Sequence, residues 1–254
     1  MDFLFILLNL HDVDLKKREK IMNIGVILSG GVGNRMGLNI PKQYVKVNGK
    51  TIINYCLEKF LFHPQIDLLI VGIASEWEKV VKDYIISTKS SKKILFSRPG
   101  ETRQYSIFKA LEVAKENGAQ EKDVVVIHDA ARPLVSTELI SQCIDGCNVA
   151  DAIMPAIPVK DTTYLSEDGI HIQSLLNRSH LWSGQAPEAF EFSKYYLAHK
   201  NMSRDELLKI NGSTELAVKA NLRCQMIPGD PMNFKITTPE DLSTFESIVN
   251  AEVK

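Results

Sequence analysis

Short apolar strands that alternate with helices are the feature that most limits how this 254-residue chain can fold. β-branched and apolar runs predict strands at residues 23–28, 67–74, 93–97, 124–127 and 152–157. Helical spacing of apolar residues predicts helices between them, at 51–62, 76–86, 103–117 and 137–147. Because continuously apolar strands are typical of parallel sheets covered on both faces, the pattern predicts an α/β fold with a mostly parallel, doubly wound, Rossmann-like sheet.

The pattern changes between residues 158 and 180. Two short strand patterns there flank the turn sequence Glu167-Asp168-Gly169, which predicts a β-hairpin arm that protrudes from the α/β body. The remainder, residues 187–254, is predicted to form helices and one strand, at 223–227. Since the chain has neither an internal repeat nor a low-complexity linker, residues 22–254 are interpreted as one domain that carries this arm.

Residues 1–21 are interpreted as an extension outside the fold. Their apolar run, 3–8, is preceded by Asp2 and followed by basic residues, the reverse of a secretory signal, and it is too short to span a bilayer. Met22, just before the first strand, is a candidate start of the protein.

Composition narrows the classes of partner. The formal net charge is -1, which favours neither nucleic acid nor an anionic membrane surface, so an anion site has to be local. The four cysteines, Cys56, Cys143, Cys147 and Cys224, form no CxxC pair or zinc ligand set. They are expected to be buried thiols in a reducing cytoplasm.

A glycine-rich segment follows the first strand. It reads Leu28-Ser29-Gly30-Gly31-Val32-Gly33-Asn34-Arg35-Met36-Gly37, with Pro41-Lys42-Gln43 shortly after. Glycines let backbone N–H groups approach a phosphate closely. The spacing fits neither the dinucleotide motif nor the Walker loop. Two cations, Arg35 and Lys42, instead suit a bound triphosphate.

With three later segments, this loop resembles the methylerythritol-phosphate and ribitol-phosphate cytidylyltransferases. The segments are Arg103 to Ser106, His128-Asp129-Ala130-Ala131-Arg132-Pro133 and Asn233-Phe234-Lys235-Ile236-Thr237. The resemblance implies attack of a polyol phosphate on the α-phosphorus of CTP, with pyrophosphate leaving and Mg²⁺ bridging the phosphates. Such a reaction depends on positioning and charge more than on a strong base.

The resemblance also implies roles for individual residues. Arg35, Lys42 and Lys235 are the expected catalytic cations. The expected nucleotide-binding residues are Leu28, Ser29, Gly30, Gly31, Gly33, Asn34, Arg103, Ser106 and Asp129. Asp129 is expected at the ribose or the metal, with a helix N-cap as the structural alternative, and His128 is expected to be structural.

Arg132, Thr162 and Arg178 are the expected acceptor-binding residues. Thr162 and Arg178 lie on the arm, which in the resembling family crosses a homodimer interface to reach the partner's site.

The sequence indicates the phosphorylated acceptor less clearly than it indicates CTP. Leu28-Ser29-Gly30-Gly31 favours D-ribitol 5-phosphate, whereas Ala130-Ala131-Arg132-Pro133 is closer to the methylerythritol branch. We expect ribitol 5-phosphate, with 2-C-methyl-D-erythritol 4-phosphate as the alternative. A sugar-1-phosphate nucleotidyltransferase, an NAD-dependent dehydrogenase and an inactive nucleotide-binding relative are the remaining readings.

Overall fold

One mixed sheet of eight strands organises the computed structural model, which describes residues 20–31 and 40–252. The described strands are β1 Asn23–Leu28, β2 Lys46–Val47, β3 Lys50–Thr51, β4 Leu68–Gly72, β5 Lys93–Ser97, β6 Val124–Asp129, β7 Ala152–Pro158, β8 Tyr164–Leu165, β9 Ser174–Leu175, β10 Trp182–Gly184, β11 Glu188–Glu191 and β12 Cys224–Pro228. The described α-helices are α1 Ile52–Leu61, α2 Ser75–Thr88, α3 Arg103–Glu116, α4 Thr137–Gly146, α5 Phe192–Asn201, α6 Arg204–Lys209, α7 Ser213–Lys219 and α8 Pro239–Glu252.

The strand order is β10-β7-β11-β6-β1-β4-β5, and β12 also pairs with β7. Strands β6, β1, β4 and β5 are parallel, as the sequence predicts. β11 lies antiparallel between β6 and β7, and β10 is antiparallel to β7. Neither β10 nor β11 is predicted from the sequence, which indicates helices around one strand in the region after Pro187. That prediction is wrong at β11, because four residues are too short to show a periodicity.

Helices cover both faces of the sheet, which confirms the doubly wound prediction. Alternate strand residues point to opposite faces. Val126 therefore packs with α1, α2 and α4, while Val125 packs with α3, α5 and α7. The C-terminal helix α8 closes a third cluster, in which Phe245 and Val249 pack near Ile52 at the start of α1. None of the helices in the described residues is long and apolar enough to cross a membrane.

The predicted arm is present. β8 and β9 form an antiparallel hairpin whose strands are exposed, and the flanking residues 159–183 are mostly exposed too. Its paired strands are shorter than predicted, two residues each. A separate small hairpin, β2–β3, stands before α1.

Two of the four cysteines are less buried than the sequence predicts. Cys56 and Cys143 are buried, but Cys147 is half-buried and Cys224 is exposed on β12, because β12 pairs on one side only with β7. Residues 1–19, which hold most of the proposed extension, lie outside the described residues.

Candidate active site

A cavity of about 540 Å³ opens at the carboxyl ends of β1 and β6. Leu28 and Asp129 are paired across these two parallel strands, so the loops that follow them meet at one edge of the sheet. Ligands bind at such edges in α/β folds. The cavity is lined by Leu28, Gly30, Gly31, Lys42, Gln43, Gly100, Glu101, Thr102, Arg103, Ser106, Asp129, Ala130, Ala131, Lys235 and Thr237.

The first part of the glycine-rich loop forms one wall. Gly30 has to be glycine, because a Cβ there would lie 2.4 Å from Cβ of Pro99. Ser29 lies behind this wall, where its Oγ is 2.6 Å from the hydroxyl of Tyr44. The predicted residues Gly33, Asn34 and Arg35 lie outside the described residues, so their predicted roles stay predictions.

Asp129 is the central charge of the site. Its Oδ1 accepts a hydrogen bond from Nε of Arg103 at 3.2 Å, and its Oδ2 accepts one from Nζ of Lys235 at 2.8 Å. Burial alone would raise the pKa of Asp129, but the charges of Arg103 and Lys235 outweigh burial and hold the pKa well below its ordinary range. The carboxylate is therefore ionised at neutral pH. It is not a helix cap, since Ser136 caps α4.

Arg103 begins α3 and is held on several sides. Its Nη2 also lies 3.3 Å from Oε2 of the buried Glu188, and its Nη1 donates to Oγ of Ser213. Burial disfavours the charged guanidinium, but Asp129 and Glu188 raise its pKa above the ordinary value. The other carboxylate oxygen of Glu188 accepts from the backbone N and Oγ1 of Thr214. Glu188 is not among the predicted site residues, because it belongs to no recognisable sequence motif.

Lys42, Lys235 and Ser106 also line the cavity, and their expected catalytic and nucleotide-binding roles stay predictions. The backbone N of Ile236 donates to the carbonyl of Ala131 at 2.8 Å, which ties the Lys235 segment to the loop after β6. The hydroxyl of Ser106 is used within the loop, where it accepts from the backbone N of Gly100 and donates to the carbonyl of Thr102, both at 2.9 Å.

Arg132 and His128 lie behind Asp129 rather than in the cavity lining. Nη1 of Arg132 donates to the carbonyl of Asn233 at 2.7 Å. Nε2 of His128 lies 2.9 Å from the carbonyl of Arg132, and burial lowers the pKa of His128 to about 4. His128 is thus neutral and serves the loop, in agreement with its expected structural role.

Thr162 and Arg178 are also separated from this cavity, because they lie on the exposed arm. Arg178 folds back and donates to the carbonyl of Lys160 at 2.8 Å. Within one chain the structure therefore brings together most of the described residues that are predicted to bind the nucleotide, and it leaves the two predicted acceptor residues of the arm apart from them.

The described residues contain no group of three or more His, Cys, Asp and Glu side chains that could hold a metal ion. Asp129 and Glu101 are the carboxylates that line the cavity, and both oxygens of Glu101 are engaged with Arg204. One carboxylate suits Mg²⁺, which commonly takes one or two carboxylates with phosphate and water oxygens.

Comparison with known proteins decides the family. The family model "IspD: 2-C-methyl-D-erythritol 4-phosphate cytidylyltransferase" matches residues 24–251. The chain belongs to this family. Members are CTP-dependent nucleotidyltransferases, so the chain is an enzyme of that class and the dehydrogenase reading is wrong.

Individual relatives cover nearly the whole chain. A 2-C-methyl-D-erythritol 4-phosphate cytidylyltransferase of Thermosipho melanesiensis is 35% identical, over 87% of this chain and 95% of its own length. A ribitol-5-phosphate cytidylyltransferase of Streptococcus agalactiae is 32% identical, over 91% of this chain and 96% of its own. The crystal structure of the Francisella tularensis 2-C-methyl-D-erythritol 4-phosphate cytidylyltransferase superposes with a TM-score of 0.74 at 26% identity, covering 89% of this chain and 99% of that one.

The charge cluster generates a stability prediction for this cytidylyltransferase. Asp129→Asn should lower the free energy of unfolding by about 3 kcal/mol at pH 7, because it removes the counter-charge of Lys235 and one of the carboxylates that Arg103 contacts, so that Arg103 keeps Glu188. A carboxyl group whose pKa is lowered by folding stabilises the protein above its unfolded pKa, and this stabilisation is lost as pH falls. The difference between the variant and the unmodified protein should therefore narrow by about 1 kcal/mol between pH 4 and pH 3.

Urea unfolding across this pH range measures the difference. Asp83→Asn, on the exposed surface of α2, is the matched control and should change the unfolding free energy far less than Asp129→Asn does at every pH, because its ion pair with Lys79 is open to solvent. An Asp129→Asn variant as stable as the unmodified protein at pH 7 would show that the cluster does not depend on this carboxylate.

Proposed function

We propose that this cytidylyltransferase transfers CMP from CTP to 2-C-methyl-D-erythritol 4-phosphate. The observation that carries the proposal is the family match over residues 24–251, which spans the cavity and all of its cations. D-Ribitol 5-phosphate is the acceptor expected from the sequence, but the comparisons favour the alternative, since the family model and the Thermosipho relative both bear the methylerythritol name.

Ribitol 5-phosphate is the second candidate acceptor. It is favoured by the loop sequence Leu28-Ser29-Gly30-Gly31 and by the Streptococcus agalactiae relative, which is nearly as similar. If ribitol 5-phosphate is the acceptor, the product would be a precursor of a surface polymer.

In the proposed reaction, a phosphate oxygen of the acceptor attacks the α-phosphorus of CTP. The new P–O bond forms as the bond to the β-phosphate oxygen breaks, and pyrophosphate leaves with the electron pair. The acceptor phosphate is already anionic, so the neutral His128 is not needed as a base. The burden falls on charge stabilisation and orientation, for which cations held in fixed positions are well suited.

Each part of the cavity has a proposed task. The amides of Gly30 and Gly31 cradle the triphosphate, and Lys42 neutralises charge near the α- and β-phosphates. Lys235 faces the α-phosphate and the incoming phosphate, and Asp129 holds its ammonium group at 2.8 Å. Arg103 and Ser106 shape the side that receives cytosine and ribose. Arg35, Gly33 and Asn34 complete the triphosphate site in the proposal.

Asp129 would also hold Mg²⁺, through the lone pairs that Arg103 and Lys235 leave unused. Mg²⁺ supplies charge neutralisation between the phosphates. Arg132 has a positioning task in this scheme, since its guanidinium holds the Asn233 carbonyl two residues before Lys235.

The arm completes the proposal. Large apolar side chains on it are open to solvent, including Ile170, which is 79% exposed, and Ile172, which is 68% exposed. An exposed apolar arm of this kind fits a subunit interface. We propose a cytoplasmic homodimer in which Thr162 and Arg178 bind the acceptor in the partner's cavity.

The acceptor assignment predicts the outcome of a pyrophosphate-release assay with CTP and Mg²⁺. We expect kcat/KM with 2-C-methyl-D-erythritol 4-phosphate to exceed that with D-ribitol 5-phosphate by at least about 100-fold, as expected when a polar acceptor site is left partly unpaired. The same assay with UTP in place of CTP tests whether the enzyme selects cytosine. Preference for ribitol 5-phosphate would reverse the assignment of the acceptor and leave the reaction class intact.

The two described lysines of the cavity generate a second prediction. Lys42→Ala and Lys235→Ala should each lower kcat by at least about 100-fold, because each removes a charge that stabilises the transition state. Lys79→Ala, on the exposed face of α2, is the control and should keep normal turnover. Near-normal turnover in either cavity variant would refute the role of that lysine.

The shared-site dimer predicts complementation between two inactive proteins. Arg178→Ala and Lys235→Ala lie on different subunits of one proposed site, so mixed dimers contain one site that carries neither change. Refolding an equal mixture should restore about a quarter of the activity of the unmodified enzyme. A mixture no more active than its parents would place Arg178 and Lys235 in the site of a single subunit, or outside the site.

A further inference from the structure

Gln43 is a buried polar residue of the cavity that the proposed mechanism leaves without a task. It follows Lys42 in a short 3₁₀ turn, Lys42–Tyr44, and is only 4% exposed. Its Nε2 donates one hydrogen bond to the carbonyl of Ser29 and another to the carbonyl of Gly31, both at 2.8 Å. Both hydrogens of the Gln43 amide group are therefore donated to the carbonyls on either side of Gly30.

Tyr44 strengthens the same contact. Its hydroxyl donates to the carbonyl of Ser29 at 3.1 Å and lies 2.6 Å from the hydroxyl of Ser29. Its ring stacks on Trp77 with 4.3 Å between ring centroids, which fixes the side chain. Burial raises the pKa of Tyr44 to about 12, so the hydroxyl keeps its proton at neutral pH.

The Ser29 carbonyl and the Gly30 N–H belong to one peptide unit. In a trans peptide these two groups point in opposite directions. Holding the Ser29 carbonyl against Gln43 therefore turns the Gly30 N–H away from Gln43. Gly30 lines the cavity, and the close approach of Pro99 leaves no room for a Cβ on it.

We propose that Gln43 is a positioning residue, which orients the Ser29–Gly30 peptide so that its N–H meets the phosphates of CTP. Because Gln43 and Lys42 share one turn, the same clamp sets the distance between the loop amides and the Lys42 ammonium. The inference rests on the proposed triphosphate site. In this proposal the uncharged residue Gln43 accounts for the preference of the site for CTP over CMP.

Gln43→Met tests this assignment, since methionine matches glutamine in length, adds no charge and donates no hydrogen bond. Calorimetric titration with CTP and with CMP, without acceptor, gives two dissociation constants for each protein. The dissociation constant for CTP should rise at least about 10-fold in the variant, as for loss of a buried donor pair. That for CMP should change less than about 3-fold, since fewer phosphate contacts are lost.

Gln185→Met is the matched control. Gln185 is buried too, and its Nε2 donates to the carbonyl of Asp230 at 2.9 Å, away from the cavity lining. This variant should keep the ratio of CTP to CMP affinity of the unmodified protein, whatever it does to the melting temperature. Gln43→Ala, which also lacks the donor, should shift the ratio in the same direction as Gln43→Met and replaces it if the longer side chain prevents folding.

The possible outcomes are distinct. A reduced preference for CTP in the Gln43 variants alone establishes the positioning role. An unchanged ratio of CTP to CMP affinity in the Gln43 variants would overturn it. The same change of this ratio in Gln185→Met would overturn it too. Absence of CTP binding by the unmodified protein would instead overturn the proposed function, and this inference with it.

Discussion

The site depends on one buried carboxylate, Asp129, and on the cations that it holds. Arg103 at the start of α3 and Lys235 before α8 come from distant parts of the chain, and each donates to a different oxygen of Asp129. A buried ion pair contributes little net stability, because desolvation offsets the attraction, but it fixes where its members lie. Here one negative charge holds two cations beside a cavity that Lys42 also lines, and so creates a local site for anions on a chain whose net charge is -1.

The sheet explains why these residues meet. β1 and β6 are adjacent and parallel, with Leu28 opposite Asp129, so the glycine-rich loop and the loop after β6 leave the sheet at the same edge. The 3₁₀ turn that carries Lys42 is tied to the first loop through Gln43, and the Lys235 segment is tied to the second through Ile236 and Ala131. Cations on otherwise separate loops are thereby fixed relative to the end of one rigid sheet, as positional catalysis requires.

Much of this site could be predicted from the sequence, because many of its residues lie in short contiguous motifs. Strand β1, the glycines after it, Asp129 at the end of an apolar strand and Lys235 all lie in contiguous segments with a recognisable pattern. Gln43 and Glu188 could not be predicted, because their importance comes from contacts with residues far along the chain. The position of Gln43 directly after Lys42 was the one available signal. The antiparallel strand β11 was missed because its pairing with β6 and β7 is tertiary, and the direction of Arg132 toward Asn233 has no local cause either.

A crystal structure of the enzyme with CTP and Mg²⁺ would test the account most directly. The triphosphate should lie at the carboxyl ends of β1 and β6, with the Gly30 N–H and the ammonium groups of Lys42 and Lys235 within hydrogen-bond distance of its oxygens. Lys235 should remain next to Asp129, and the Gln43 amide should still hold the Ser29 carbonyl. A triphosphate bound elsewhere, or one that contacts neither lysine, would contradict the claim that this cluster of charges is the catalytic centre.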